Sequence, residues 1–358
     1  MSREMELAKN LLFDLLSVYT PPRYEFKLIP VVRDWADKLG YDEFYVDDVG
    51  NIFLRLGSHG RTILLAGHLD TVPGEVDVKL SQDTIYGRGA VDAKGPLASF
   101  ILGAVLSKIE GGNSKVYVAG LVREEDDGLG SRHLVESGFK SDYIIVGEPT
   151  NLGVAIAYRG SILIRISANT LGGHSSAPHI GESALDKLIQ FINIVKGKFN
   201  GVRFDDVSCA FTVLRAGDWP SSLPKKGEAY ANIRYPPRCY SEDIVREIKE
   251  VAQSVGVELE ILSIEKPVEV SVNTTVVRAL VRSILRSSLK PKIVKKTGTS
   301  DMNTLIAISK NISAFGPGDS RLAHTDYEKI RVDEVVTAAR IISNALKELS
   351  ESGVSNNS

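Results

Sequence analysis

Apolar positions near the start of the chain recur every three or four residues. Leu7, Leu11, Leu12 and Leu15 share one face over about Glu4 to Val18, and Thr20-Pro21-Pro22 stops that helix. A second helical run ends at Leu39 before Gly40, with a kink expected at Pro30. The apolar runs then become short. Strands are predicted at Phe44 to Val46, Asn51 to Leu56, Thr62 to Ala66, Val116 to Val122 and Tyr143 to Val146. Helices fall between them, from Pro96 to about Ile109 and from Ser131 to Glu136. Such alternation is the pattern of an α/β unit with a largely parallel sheet.

After about Arg159 the period changes. Ile162, Ile164 and Ile166 alternate with polar residues, as on a half-buried strand. A helix over about Glu182 to Val195 follows, then strands near Ser208 to Leu214 and Glu228 to Ile233. A helix from Glu242 to Val255 and a strand from Val257 to Leu262 complete a ferredoxin-like order. From about Thr274 the α/β texture returns, with a helix to Ser288, a turn at Gly298 and a strand from Ile312 to Phe315. A last helix covers about Asp333 to Leu349, and the polar tail Ser350 to Ser358 is expected to fray. The expected fold is α/β, a mostly parallel sheet with flanking helices built from residues 1–159 and 266–358. An α+β insertion over 160–265 interrupts it.

Composition narrows the class. A chain of 358 residues is too long for one compact core, and 43% hydrophobic with 25% charged residues is a globular profile. A net charge of −2 gives no support to a nucleic-acid surface. No apolar stretch reaches the ~18 residues of a membrane span, and no signal peptide is evident, so a cytoplasmic protein is expected. The two cysteines, Cys209 and Cys239, argue against a disulfide framework or a thiolate metal site. Both are expected in strands. A metal site would therefore use nitrogen and oxygen donors.

Candidate chemistry gathers at the predicted strand ends. His68 and Asp70 follow Thr62 to Ala66, in Gly67-His68-Leu69-Asp70-Thr71-Val72-Pro73. Asp92 lies in Tyr86-Gly87-Arg88-Gly89-Ala90-Val91-Asp92-Ala93-Lys94-Gly95, Glu124 and Glu125 follow Val116 to Val122, and Glu148 follows Tyr143 to Val146. His324 sits late, in Leu322-Ala323-His324-Thr325. In open α/β sheets ligands bind at these ends. Carboxylates crowded there cannot all stay ionised without cations. Zinc accepts such donors, and one carboxylate can bridge two ions. A solvated acidic rim accounts for Asp126 and Asp127 but poorly for Asp92 and Glu148, which sit in Gly- or Pro-containing turns after apolar runs. Gly87-Arg88-Gly89 is no dinucleotide fingerprint, because the third glycine is misplaced.

Together HLDTVP, GRGAVDAKG, REE, GEP and the late AH resemble the co-catalytic zinc peptidases and deacylases of the M20 family, over essentially the whole chain. The resemblance implies two divalent metal ions per subunit, zinc or cobalt. His68 and Glu148 would hold one, Glu125 and His324 the other, with Asp92 between them. Asp70 would orient His68, and a cis peptide would follow Asp92. Glu124 would be the general base. Strand alternation would point it away from Glu125, loosely so at a strand end. It also implies that the insertion is a lid through which the protein dimerises. His174, in Gly172-Gly173-His174-Ser175-Ser176, would stabilise an oxyanion, and Arg234 would grip a substrate carboxylate. Asn232 stands where relatives often carry aspartate. Gly298, Thr299 and Ser300, in Gly298-Thr299-Ser300-Asp301, and Gly316-Pro317-Gly318 resemble turns that border the substrate pocket. His59 and His133 match nothing and are expected at the surface, and His179 is expected to be structural or exposed.

Overall likeness is greatest to the branch of the family that releases lysine or ornithine from the C-terminal glutamate of a small acidic carrier protein, LysW. Lys225-Lys226 and Lys292, Lys295-Lys296 are candidate basic patches for such a partner, or equally a solvated lysine face. The alternatives are a small-molecule deacylase such as acetylornithine deacetylase, a dipeptidase, or a non-catalytic metal-bound scaffold.

Overall fold

A computed structural model describes residues 3–351. The chain forms two compact units. One takes the chain up to Ala157, Val270–Val294 and the chain from Ser300 onward; the other takes Tyr158–Glu269 and Lys295–Thr299.

The first unit is built on four parallel strands side by side, in the order Lys115–Leu121, Thr62–His68, Tyr143–Gly147, Ile312–Phe315. Ile52–Leu56 and Val154–Tyr158 flank them antiparallel, and Glu43–Val46 pairs outside Ile52–Leu56. Tyr143–Gly147 is buried throughout, as a strand covered on both faces must be. The helix Lys94–Ile109 is buried all round over its first turns. It packs on this sheet and against the final helix Val332–Glu351. The α/β expectation with a largely parallel sheet is borne out.

Several local expectations change. Pro30 starts the helix Ile29–Leu39 instead of kinking it, because a proline in the first turn removes only an N–H that has no intrahelical partner. A 3-10 turn, Glu25–Leu28, leads into it, and Gly40 ends it at φ 73°. Cys209 lies in a strand, but Cys239 lies in a bend after Tyr235. The strands Val154–Tyr158 and Ile293–Lys296 had no clear alternating signal. Nor did the small sheet of Lys79–Ser81, Thr84–Tyr86 and Lys329–Arg331. Beyond Glu351 the expected polar tail lies outside the described residues.

In the second unit four antiparallel strands run in the order Ser208–Ala216, Lys226–Tyr235, Gly160–Asn169, Glu258–Glu265. That order is the ferredoxin-like one. Ile162, Ile164 and Ile166 pack with Ala229, Ala231 and Ile233 beneath the helices Ala184–Lys198 and Ser241–Val255. The opposite face carries Arg165, 3.1 Å from Glu228 and 3.6 Å from Glu260. Among the described residues, no helix is long and apolar enough to cross a membrane.

Candidate metal centre

Parallel register assembles the site. His68 lies beside Leu121, and Gly67 beside Gly147. The segments leaving those neighbours therefore carry Glu124-Glu125 and Glu148 past the same end of the sheet. Gly316 follows the fourth strand there, and a Cβ on it would stand 2.5 Å from the Glu148 carbonyl oxygen. Asp92 comes in from the turn before the helix Lys94–Ile109, and a cis peptide joins it to Ala93.

Asp92 faces two imidazoles. Its Oδ1 is 3.0 Å from His68 Nε2, and its Oδ2 is 3.3 Å from His324 Nε2. His324 Nε2 also lies 3.0 Å from Glu125 Oε1. Two groups of donor atoms are close enough to share an ion, namely His68, Glu124 and Glu125, and Asp92, Glu125 and His324. Glu148 is buried at its strand end but falls in neither group. The donor set is imidazole and carboxylate throughout, which fits zinc or a similar divalent ion, and a carboxylate with one oxygen toward each histidine fits a bridging position.

Asp70 divides its work. His68 Nδ1 donates to the Asp70 carbonyl oxygen at 2.9 Å, since that oxygen can only accept, which leaves Nε2 toward Asp92. The Asp70 carboxylate lies 3.6 Å from Nδ1 and accepts instead from the amides of Glu124, at 3.1 Å, and Glu125, at 2.9 Å. The expected strand alternation does not apply to these glutamates, because both sit in a turn entered through Arg123 at φ 62°. The buried Glu25 accepts from the Arg123 amide at 3.0 Å.

Charge is concentrated here. Burial pushes the Glu124 carboxyl well up. His68 opposes this, and the charges of Glu148, Asp301 and Glu125 add to it. Burial works against a charged His68, yet the carboxylates of Asp70 and Asp92 prevail and hold it well above its ordinary value. Asp92 and Glu125 raise His324 to about 10. The two imidazoles outweigh burial at Asp92 and hold its carboxyl down.

The remaining candidates are placed differently. His174 is exposed in the second unit, and its Nδ1 accepts from the Ser176 amide at 3.1 Å. Arg234 Nη1 donates to Thr299 Oγ1 at 3.0 Å within that unit, and Gly298 adjoins the pair in sequence. Ser300 belongs to the first unit, where its hydroxyl caps the helix Asp301–Leu305 by accepting from the Met302 amide. His59 and His179 are exposed, and His133 lies 3.8 Å from Asp47. Lys295 is paired with Glu269 at 2.6 Å, which removes it from a free basic patch; Lys225 and Lys226 are exposed. Glu25 and Glu328 carry no sequence signal of their own. Each reads as one more acid in a polar stretch, and only burial distinguishes them.

Residues 64–348 match the model of peptidase family M20/M25/M40. The LysW-lysine/LysW-ornithine hydrolase of Saccharolobus solfataricus is 38% identical over 354 residues, 98% of this chain and 99% of its own. A relative from Aeropyrum pernix, whose name assigns the same activity provisionally, is 42% identical over 343 residues, 95% of each chain. Among solved structures, aminopeptidase PepT from Bacillus cereus superposes with a TM-score of 0.81 at 20% identity, covering 97% of this chain and 99% of that one. The M20 family metallo-carboxypeptidase Sso-CP2 from Sulfolobus solfataricus gives 0.80 at 17%, covering 98% and 100%. These two likenesses concern the fold.

Proposed function

Because the chain belongs to peptidase family M20/M25/M40, we propose that it is a di-metal amide hydrolase that releases lysine or ornithine from the γ-carboxyl of the C-terminal glutamate of a LysW-type carrier protein. The observation that carries the chemistry is Asp92 with one oxygen toward each of two histidines. The substrate follows from near-full-length similarity to relatives named for it.

His68, Asp92, Glu125, Glu148 and His324 would hold two divalent cations, zinc or cobalt. When bound, such ions polarise the scissile carbonyl and lower the pKa of the attacking water. Glu124 takes the proton of that water as its oxygen adds to the carbonyl carbon. As the carbon–nitrogen bond breaks, Glu124 delivers the proton to the leaving amine. Asp70 keeps Glu124 and Glu125 in place through their amides.

His174 serves as the oxyanion donor of the second unit. The Ser176 amide occupies Nδ1, so the ring proton is on Nε2, which makes that nitrogen a donor. Arg234, held by Thr299, binds a substrate carboxylate. The edge strand Ser208–Ala216, with Leu214 exposed, is the candidate dimer contact. We read the place of action as the cytoplasm.

Turnover of lysine linked to the carrier is compared with turnover of free N-acetyl-ornithine, each with and without a chelator. Carrier-linked substrate is expected to be hydrolysed faster, and only when metal is restored. Preference for the free compound would move the assignment to a small-molecule deacylase. Turnover of neither would leave a metal-bound scaffold.

A further inference from the structure

Outside the donor set, one buried acid touches both loops that bear Asp92 and His324. Glu328 is 1% exposed and lies just before the strand Lys329–Arg331. That strand pairs with Thr84–Tyr86, with Lys329 opposite Tyr86, and the Gly87 amide donates to the Glu328 carbonyl oxygen. The pairing brings the Glu328 side chain over the following turn. There Oε1 accepts from the amides of Val91, at 2.8 Å, and of Asp92, at 3.0 Å.

Its second oxygen, Oε2, accepts from Arg88 Nη1 at 3.2 Å. Arg88 is itself 5% exposed. It also donates to the carbonyl of Thr325, the residue after His324, at 2.9 Å, and to the carbonyl of Gly74 at 2.8 Å. Its other nitrogen lies 3.4 Å from Asp326. A continuous path therefore runs from the Asp92 amide through Glu328 and Arg88 to the backbone beside His324. A surface loop would leave these amides to water. Here a buried carboxylate holds two consecutive amides and a buried guanidinium at once, which fixes their separation.

We infer that Glu328 is a positioning residue of the metal centre, setting the backbone of Asp92 and, through Arg88, that of His324, so that Asp92, Glu125 and His324 meet around one ion. This rests on the two-ion reading above. The outer partners of metal ligands commonly control affinity in this way.

The test titrates metal-free protein with Zn2+ against a chromophoric chelator, which needs no substrate. Wild type is expected to bind two ions, and His324→Gln identifies the one served by Asp92, Glu125 and His324. Glu328→Ala should bind that ion about 10–100-fold more weakly, and the other ion, which shares Asp92 but not His324, should weaken less. Glu328→Gln keeps an acceptor oxygen for the two amides but turns an NH2 toward Arg88, so it should recover part of the affinity. Should Glu328→Ala not fold, Glu328→Asp decides, since it keeps the charge but is one methylene short of the amides, and the same weakened ion is expected. A folded Glu328→Ala, or Glu328→Asp in its place, that binds both ions like wild type overturns the inference, even with a lowered thermal midpoint. A Glu328→Gln as weak as Glu328→Ala overturns the amide grip. Wild type that binds fewer than two ions overturns the two-ion reading itself, a result distinguishable from either.

Discussion

Glu124 and Glu125 are adjacent in sequence and share one carboxylate, that of Asp70, as the acceptor for their amides. Their side chains nevertheless have separate tasks. Glu124→Gln removes the base but keeps its shape, so kcat should fall by about 10²–10⁴-fold while two ions stay bound; kinetics with metal analysis checks both. Asp70→Asn leaves one acceptor oxygen and turns an amide donor toward a backbone N–H. It should lower kcat by at least about tenfold with little change in KM, read from initial rates. The histidines predict a pH response. Asp92 and Glu125 raise His324 from 6.5 to about 10, so the folded chain holds a proton that the unfolded chain has lost. The stability this gives metal-free protein is complete below about 6.5 and disappears as pH rises through about 10. Glu124 is also raised, and its contribution slopes the same way. Thermal midpoints of chelator-treated protein should fall across that window, and fall less in His324→Gln. A flat profile in wild type would contradict this.

Elements matter here through their ends and their closest approaches. Four parallel strands deliver the site because their register aligns the residues at which they stop. The helix Lys94–Ile109 packs against Val332–Glu351, and Gly103 lies at a close approach between them. A Cβ there would come within 2.8 Å of the Ala339 carbonyl oxygen and of Ile342. Gly103→Val should therefore destabilise by roughly 1–3 kcal/mol with metal stoichiometry unchanged, measured by denaturant unfolding. Unchanged stability would mean that the helices part without strain. The strands, their alternation and the apolar helices were legible because burial imposes periodicity. Pro30 misled because a proline reads the same whether it starts a helix or bends one. Short strands such as Thr84–Tyr86 and Lys329–Arg331 show no period at all, yet they bring Glu328 to the Asp92 turn.

For the whole molecule, all five expected ligands belong to the first unit, so metal should stabilise that unit directly. Saturating Zn2+ at about a hundredfold over its Kd contributes about 2.7 kcal/mol, and chelation should lower the first unit's calorimetric transition by roughly 5 °C or more. The transition of the second unit should not move, and one that moved equally would contradict the separation. Neutralising Lys225 and Lys226, both exposed, should weaken turnover of carrier-linked substrate at low salt and less so at high salt. The fold class and the metal-ligand candidates were already legible in the sequence alone: the fold as apolar period, His68, Glu124, Glu125 and Glu148 as an acid or histidine at or just past a strand's end, and Asp92 and His324 through the M20 motifs that hold them. Tertiary structure alone decided that the Asp70 carboxylate grips the Glu124–Glu125 turn, and that Glu25 and Glu328 hold the backbone around the centre. Ser300 likewise proved to be a helix cap. A lone acid in a polar stretch has no period to betray it. Whether it is solvated or buried against two amides depends on which distant segment folds over it.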